Sequence, residues 1–362
     1  MLTVDGHLHL AVNALRKGRN VLYSVLTIRS QEARNTFFPT AGKGTVALPE
    51  MRQGHIALCF DAVVANCTDY PNGGRDYASP SQAYGVARGQ MAYHQALEKE
   101  GYARVVTDVE TLNSHIAEWE AWDAGENPNV NDAPPLGIIV GMEGADSILS
   151  PNDLPEWWDL GLRIMSVGHH GPGRYAGGTG TELGLTELGG PLLAEMERLG
   201  VLLDLVHLTD QGFWQVLGQY DGPVMASHAN VRTLVPHQRQ MSDQQLQAVI
   251  ERDGVIGATS ACCWQLQPGW TFGRDTNENV SLNTIVDHLD YVCQLAGDSE
   301  HAGVASDLDG GYGRDQSPRD LETIADLQKL GGLLAGRGYT EADVANIMYG
   351  NWLRLLRRSW GE

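Results

Sequence analysis

Val201-Leu202-Leu203-Asp204-Leu205-Val206-His207 and the stretch that soon follows it, Gly222-Pro223-Val224-Met225-Ala226-Ser227-His228, carry the decisive pattern of this sequence. Each is a short apolar run that stops on a histidine. Such a run suits a strand buried on both faces, as in a parallel sheet. Two of them side by side bring two imidazoles to one end of that sheet. The pattern recurs in both directions along the chain. Residues 3–10 read as a strand bearing His7 and His9, two apart and therefore on one face. Ile138-Ile139-Val140-Gly141-Met142 runs into Glu143, residues 162–167 run into His169-His170, and Gly303-Val304-Ala305-Ser306 runs into Asp307. With residues 55–65 and 254–260 this makes eight core strands, and residues 103–106 read as a peripheral one.

Helical periodicity fills most of the intervals: 81–101, 108–122, 191–199, 210–218, 242–251 with Ser242 as N-cap, 279–295, 318–336 and 340–358. Residues 11–50 are irregular and are expected over the barrel mouth. Residues 68–79 read as a long loop, and 124–135 as a surface connector rather than a domain boundary. The segment 171–190 holds eight glycines directly after a strand end. It reads either as a flap over a ligand or as a mobile surface loop.

Strands alternating with helices, and ionisable residues gathered at strand ends, predict an α/β fold. The expectation is a (β/α)8 TIM barrel over residues 1–362 as one domain, with a metal site at the C-terminal ends of the strands. A doubly wound sheet is disfavoured, because no G-x-G-x-x-G follows the first strand.

The 42% hydrophobic content provides for a large core, and the net charge of −20 argues against nucleic acid or an anionic membrane as partner. No apolar run is long enough to span a bilayer, and the N-terminus enters a strand without a leader pattern, so the expected location is cytoplasmic. The five cysteines, among them the vicinal Cys262-Cys263, lack ligand spacing and read as free thiols in a reducing compartment. The expected partner is a small-molecule substrate, and a homodimer is allowed.

Histidines and carboxylates at strand ends are what a catalytic divalent metal site needs. His7 and His9 read as one ligand pair and His207 with His228 as a second. Glu143, costly to bury without a cation, has two oxygens that can bridge two ions. Two ions roughly 3.5–4 Å apart can share a hydroxide and polarise a carbonyl. A carboxylate beside them, Asp307 or Asp309, would carry the proton from water to the leaving nitrogen. Arg239 reads either as an ion-paired surface residue or as a clamp for a substrate carboxylate.

Several ordered stretches then acquire a common meaning: Pro49-Glu50-Met51-Arg52-Gln53-Gly54, Gly141-Met142-Glu143-Gly144, Gly184-Leu185-Thr186-Glu187-Leu188-Gly189, His237-Gln238-Arg239 and Gly350-Asn351-Trp352-Leu353-Arg354. Together with Asp5-Gly6-His7 and Ser306-Asp307-Leu308-Asp309-Gly310, the sequence resembles the membrane (renal-type) dipeptidases. These are zinc metallopeptidases of the amidohydrolase superfamily. The resemblance implies two divalent ions, expected to be Zn2+, with His7 and His9 on one, Glu143 bridging, and His207 and His228 on the other. It further implies His169 near the substrate carbonyl, Arg239 on the C-terminal carboxylate and Asp307 as proton shuttle. His170 has no counterpart in it and reads as a loop residue.

Two departures stand out. His9 occupies a position often filled by Asp, which removes a negative charge from the ligand set. The end of the seventh strand, Thr259-Ser260-Ala261-Cys262-Cys263-Trp264, differs from the family's common Asn followed by aromatics, and the resemblance implies that this wall of the pocket touches substrate. The expected activity is zinc-dependent hydrolysis of a dipeptide. The alternatives are deacylation of an N-acyl amino acid, lactone opening, or a non-catalytic relative that binds metal or peptide.

Overall fold

A computed structural model describes residues 1–34, 38–67, 76–125, 129–260 and 263–361. Its strands are β1 (Thr3–Leu8), β2 (Ile56–Val63), β3 (Ala103–Val105), β4 (Leu136–Glu143) and β5 (Leu162–Ser166). They continue with β6 (Leu202–Asp204), β7 (Val224–Met225), β8 (Ile256–Ala258) and β9 (Ala302–Val304). Every pairing between them is parallel, in the order β1-β2-β4-β5-β6-β7, with β8 paired to β9. A bridge from Ala226 to Ile256 joins β7 to β8, and Asp307 N donates to His7 O at 3.0 Å, so the end of β9 closes on β1. The result is a (β/α)8 barrel of eight strands. β3 pairs only with the first residues of β4 and stays peripheral, as its sequence predicts.

The strand residues explain this architecture. β1, β2, β4 and β5 are buried along their whole length, which fits runs without polar alternation, whose two faces meet helices and barrel interior. Where the C-terminal helix Asn351–Ser359 crosses the barrel wall, the Trp352 indole donates to Val304 O at 2.9 Å. A Cβ on Gly6 or Gly303 would come within 2.6 Å of that ring, so both approaches require glycine. Among the described residues no helix is long and apolar enough to cross a membrane.

Several expectations are corrected. Residues 11–50 are not irregular: they hold the helices Leu10–Lys17, Val25–Glu32 and Leu48–Gln53. Val25–Glu32 is capped by Ser24, whose hydroxyl accepts from Thr27 N at 3.2 Å; its apolar residues are too sparse to show a face. The helix expected over 318–336 has a helical part only from Ile324 onward, as a 3-10 turn and then Lys329–Gly336. Its predicted start falls on Pro318 and an extended approach to the Thr323 cap. The glycine-rich segment 171–190 is also a built element. Bridges join His170 to Thr179, Pro172 to Gly177, Ala176 to Leu185 and Gly178 to Leu208, and Tyr175 and Ala176 are fully buried. Its glycines serve close approach, since a Cβ on Gly178 would sit 2.0 Å from His169 O. The Ser242 N-cap is present, in a capping box with Gln245. Most of the loop predicted over 68–79, and Ala261 and Cys262, lie outside the described residues.

Candidate active site

The strands deliver their chemistry at one end of the barrel. His7 lies within β1 and His9 one residue beyond it, at the cap of helix Leu10–Lys17; Glu143 is the last residue of β4. His169, His207, His228 and Asp307 each follow their strand by three residues. The strands of the two opening motifs are thus shorter than predicted, and the candidate ligand histidines sit on the turns after them. His207 and Asp307 take left-handed backbone conformations there, with φ of 65° and 53°. A non-glycine residue held in that region marks a turn fixed by its surroundings.

The side chains converge. Nε2 of His7 and Nε2 of His9 are 3.1 Å apart, and those of His207 and His228 are 3.3 Å apart. Glu143 lies between the pairs. Its Oε1 is 3.0 Å from His207 and 3.3 Å from His228, and its Oε2 is 3.7 Å from His9. Nitrogens bound to one tetrahedral zinc at about 2.0–2.1 Å stand roughly 3.3 Å from each other, which is the spacing seen within each pair. All five residues are buried.

Hydrogen bonds on the far side of the rings set their tautomers. The Ser227 hydroxyl donates to Asp204 Oδ2 at 2.5 Å, so Nδ1 of His228, 2.8 Å away, is the donor to Ser227. The Thr179 hydroxyl donates to His207 O, and Nδ1 of His207 lies 3.2 Å from it. Both rings thereby turn an Nε2 lone pair inward, the form that binds a cation. Burial pushes the His7 and His207 imidazoles well below their ordinary range and keeps them neutral. Burial works against the Glu143 carboxylate, but the imidazoles around it, that of His169 foremost and then those of His7, His207 and His228, hold it well below the usual carboxylate range. For His9, burial opposes protonation, and the hydrogen bond to Asp307 with the charges of Glu143 and Asp307 outweighs it, raising the ring above its ordinary value. Four imidazoles and a carboxylate gathered at this spacing fit divalent metal binding.

His169 differs from the ligand rings. The Asn66 amide donates to its Nδ1 at 2.7 Å, which leaves Nε2–H as a donor, 3.5 Å from Glu143 Oε1. Arg239 is buried rather than a surface residue. Its Nη2 donates to His228 O at 2.8 Å and its Nη1 has no protein partner. The two aspartates differ in their contacts. Asp307 Oδ1 is 3.3 Å from His9 Nε2, whereas Asp309 accepts from Thr45 N, Thr45 Oγ1 and Val46 N and pairs with Arg19 at 2.9 Å. His170 lies outside the named strands and helices, as expected, with its ring 4.6 Å from that of His169 and 4.8 Å from that of His207. Ser227, Asp204, Thr179 and Asn66 escaped the sequence reading. Only Ser227, adjacent to a candidate ligand, offered a signal.

Fold and donor set define the class: a (β/α)8-barrel hydrolase built for divalent cations at the carboxyl ends of its strands. The chain belongs to the membrane dipeptidase family, peptidase family M19, whose model matches residues 1–359. It is 30% identical over 236 residues to a Klebsiella pneumoniae protein from the pqqA 5′ region, covering 63% of this chain and 83% of that one. It is 28% identical over 322 residues to the dipeptidase aclJ of Aspergillus oryzae, covering 86% of this chain and 69% of that one. Among solved structures, a dipeptidase AC of the same metallopeptidase family superposes with a TM-score of 0.77 at 26% identity, covering 100% of this chain and 99% of that one. A Rhodobacter sphaeroides metallopeptidase liganded with a phosphinate mimic of the dipeptide L-Ala-D-Ala gives a TM-score of 0.75 at 25% identity, covering 99% of each.

Proposed function

We propose that this protein hydrolyses the amide bond of small dipeptides with water activated by two divalent cations, most simply zinc. The observation that carries the reading is the convergence of four imidazole Nε2 atoms on the two oxygens of one buried glutamate. His7 and His9 would hold one cation, His207 and His228 the other, and Glu143 both. When bound, the cations lower the pKa of water and polarise the scissile carbonyl.

The remaining residues have separate tasks. Asp307, with an oxygen 3.3 Å from His9 Nε2, takes the proton of the attacking water and returns it to the leaving amine. His169 offers its Nε2–H to the oxygen on which negative charge develops. Arg239 presents its unpartnered, buried Nη1 to the substrate carboxylate, where a charge-assisted hydrogen bond completes it. The segment with Thr259, Ser260 and Trp264, the last edge-on to His237 at 4.6 Å, departs from the family pattern and would bear on side-chain selectivity.

The test is turnover of a dipeptide panel, L-Ala-D-Ala included, beside N-acyl amino acids and lactones, with Zn2+ present and after chelation. Hydrolysis of dipeptides that chelation abolishes supports the reading. Activity confined to acyl amino acids or lactones replaces it with the neighbouring reaction. Binding of dipeptide without turnover of any substrate makes the chain a non-catalytic relative.

A further inference from the structure

We propose that His169, His170 and His207 form an outer cation site, the seat through which the second cation enters and leaves its place among Glu143, His207 and His228. The inference rests on the two-cation reading above and adds to it a way in.

The need for such a seat follows from burial. Glu143, His207 and His228 are each at most 7% exposed. Bare divalent charge in a low-dielectric interior is very costly, so a hydrated cation cannot lose all its water at once and arrive among them. It exchanges water for protein donors a few at a time, beginning where solvent still reaches.

The described residues contain a graded series of donors. One ring nitrogen from each of His169, His170 and His207 lies within 4.8 Å of the other two. The rings stand edge-on to one another, with centroids 4.6 Å apart for His169 and His170, 4.5 Å for His169 and His207, and 4.8 Å for His170 and His207. Exposure falls from the solvent-facing His170, through His169 with 18% of its side chain exposed, to the buried His207. Three imidazoles and a water make up a tetrahedral set that zinc accepts. His207 also belongs to the buried trio with Glu143 and His228. A donor common to both seats lets an ion pass inward without being released.

Two further features mark a built site. Thr179 holds all three histidines in place. Its N–H donates to His169 O at 2.8 Å, its carbonyl accepts from Gly171 N at 3.0 Å just beyond His170, and its hydroxyl donates to His207 O at 3.2 Å. Asn66, whose amide donates to Nδ1 of His169, keeps a buried Oδ1 without a partner. A half-turn of that amide presents Oδ1 to Nδ1 instead. With the ring proton moved through solvent from Nε2 to Nδ1, His169 then turns an Nε2 lone pair to the cation, and the reverse turn restores its Nε2–H. One asparagine thus serves both states of the ring.

The experiment follows zinc uptake by metal-free protein and zinc release to excess chelator in a stopped-flow instrument, beside equilibrium titration against a chromogenic chelator. The proteins are the wild type, His170→Gln and His170→Glu, which differ only at an exposed side chain. High salt screens the added charge of the glutamate, so that it acts as a ligand alone. Ions per wild-type chain are counted first, and fewer than two overturn the two-cation reading itself. A seat on the path speeds uptake and release alike and leaves the equilibrium untouched. His170→Gln should therefore slow both rates for one ion roughly 10-fold, through one donor fewer at the barrier, with its affinity within about threefold of wild type. His170→Glu should restore most of both rates. Wild-type uptake and release in His170→Gln overturn the proposal. So does a fall in affinity with quickened release, which would make His170 a ligand of the ion in its final place.

Discussion

The Ser227 hydroxyl stands 2.8 Å from Nδ1 of the neighbouring His228 and at the same time donates to Asp204 at 2.5 Å. A carboxylate at the end of one strand thus fixes, through the hydroxyl on the next, which nitrogen of a candidate ligand faces the centre. Ser227→Ala removes the fixed point. Zinc affinity and kcat/KM are each expected to fall roughly 10–100-fold, with a small change in Tm. Parallel metal titration and kinetics check this, and a variant with wild-type affinity would refute the orienting role.

Arg239 is buried with one nitrogen committed to His228 O and the other without a partner. Arg239→Lys loses the fork that suits a carboxylate. We expect KM for dipeptides to rise about 10–100-fold, the worth of a charge-assisted hydrogen bond, while dipeptide amides change little. Equal losses on acid and amide substrates would remove Arg239 from carboxylate recognition.

Asp309 ties the chain around Thr45 to the barrel, and its partner Arg19 is held from the other side by Glu32 at 2.7 Å. Breaking one member of such a buried network leaves the others uncompensated. Asp309→Ala is expected to lose about 3–5 kcal/mol in urea unfolding. A loss below about 1 kcal/mol would mean that solvent satisfies the released groups.

His288, far from the candidate ligands in sequence, accepts from Val231 N at 3.1 Å, and burial lowers its pKa from 6.5 to about 4. Between those values the unfolded chain binds more protons than the folded one. The stability from this group is therefore complete above pH 6.5 and is lost as the pH falls toward 4. Its size is on the order of 3 kcal/mol. Unfolding of wild type and His288→Asn near pH 7 and near pH 4 isolates it: the variant should show the smaller acid loss, and identical losses would contradict the assignment.

The barrel, and the convergence of the candidate ligands at one of its ends, were legible because their signals are local. An apolar run ending on His or Glu names both a buried strand and the residue its end presents, as at Glu143, His207 and His228. The rest depends on contacts between distant segments. Nothing in the order of residues shows that Asp5 grips Ser306 across the barrel closure, that Asn66 turns the His169 ring, or that Asp309 is spent on Thr45 while Asp307 stays free for the centre. Residues 11–50 hid their helices because one such as Val25–Glu32 has too few apolar residues to show a period and rests on its Ser24 cap and the packing of Val25 and Ile28. The bridge from His170 to Thr179 stayed hidden because a glycine-rich stretch gives no hint that it folds back.

Anomalous diffraction at the zinc edge from crystals of zinc-loaded protein would locate the cations themselves. Two peaks roughly 3.5–4 Å apart are expected at the carboxyl ends of the strands. One should lie against His7 and His9, the other against His207 and His228, with a Glu143 oxygen on each. A single peak, or zinc bound away from these five side chains, would contradict the two-cation reading.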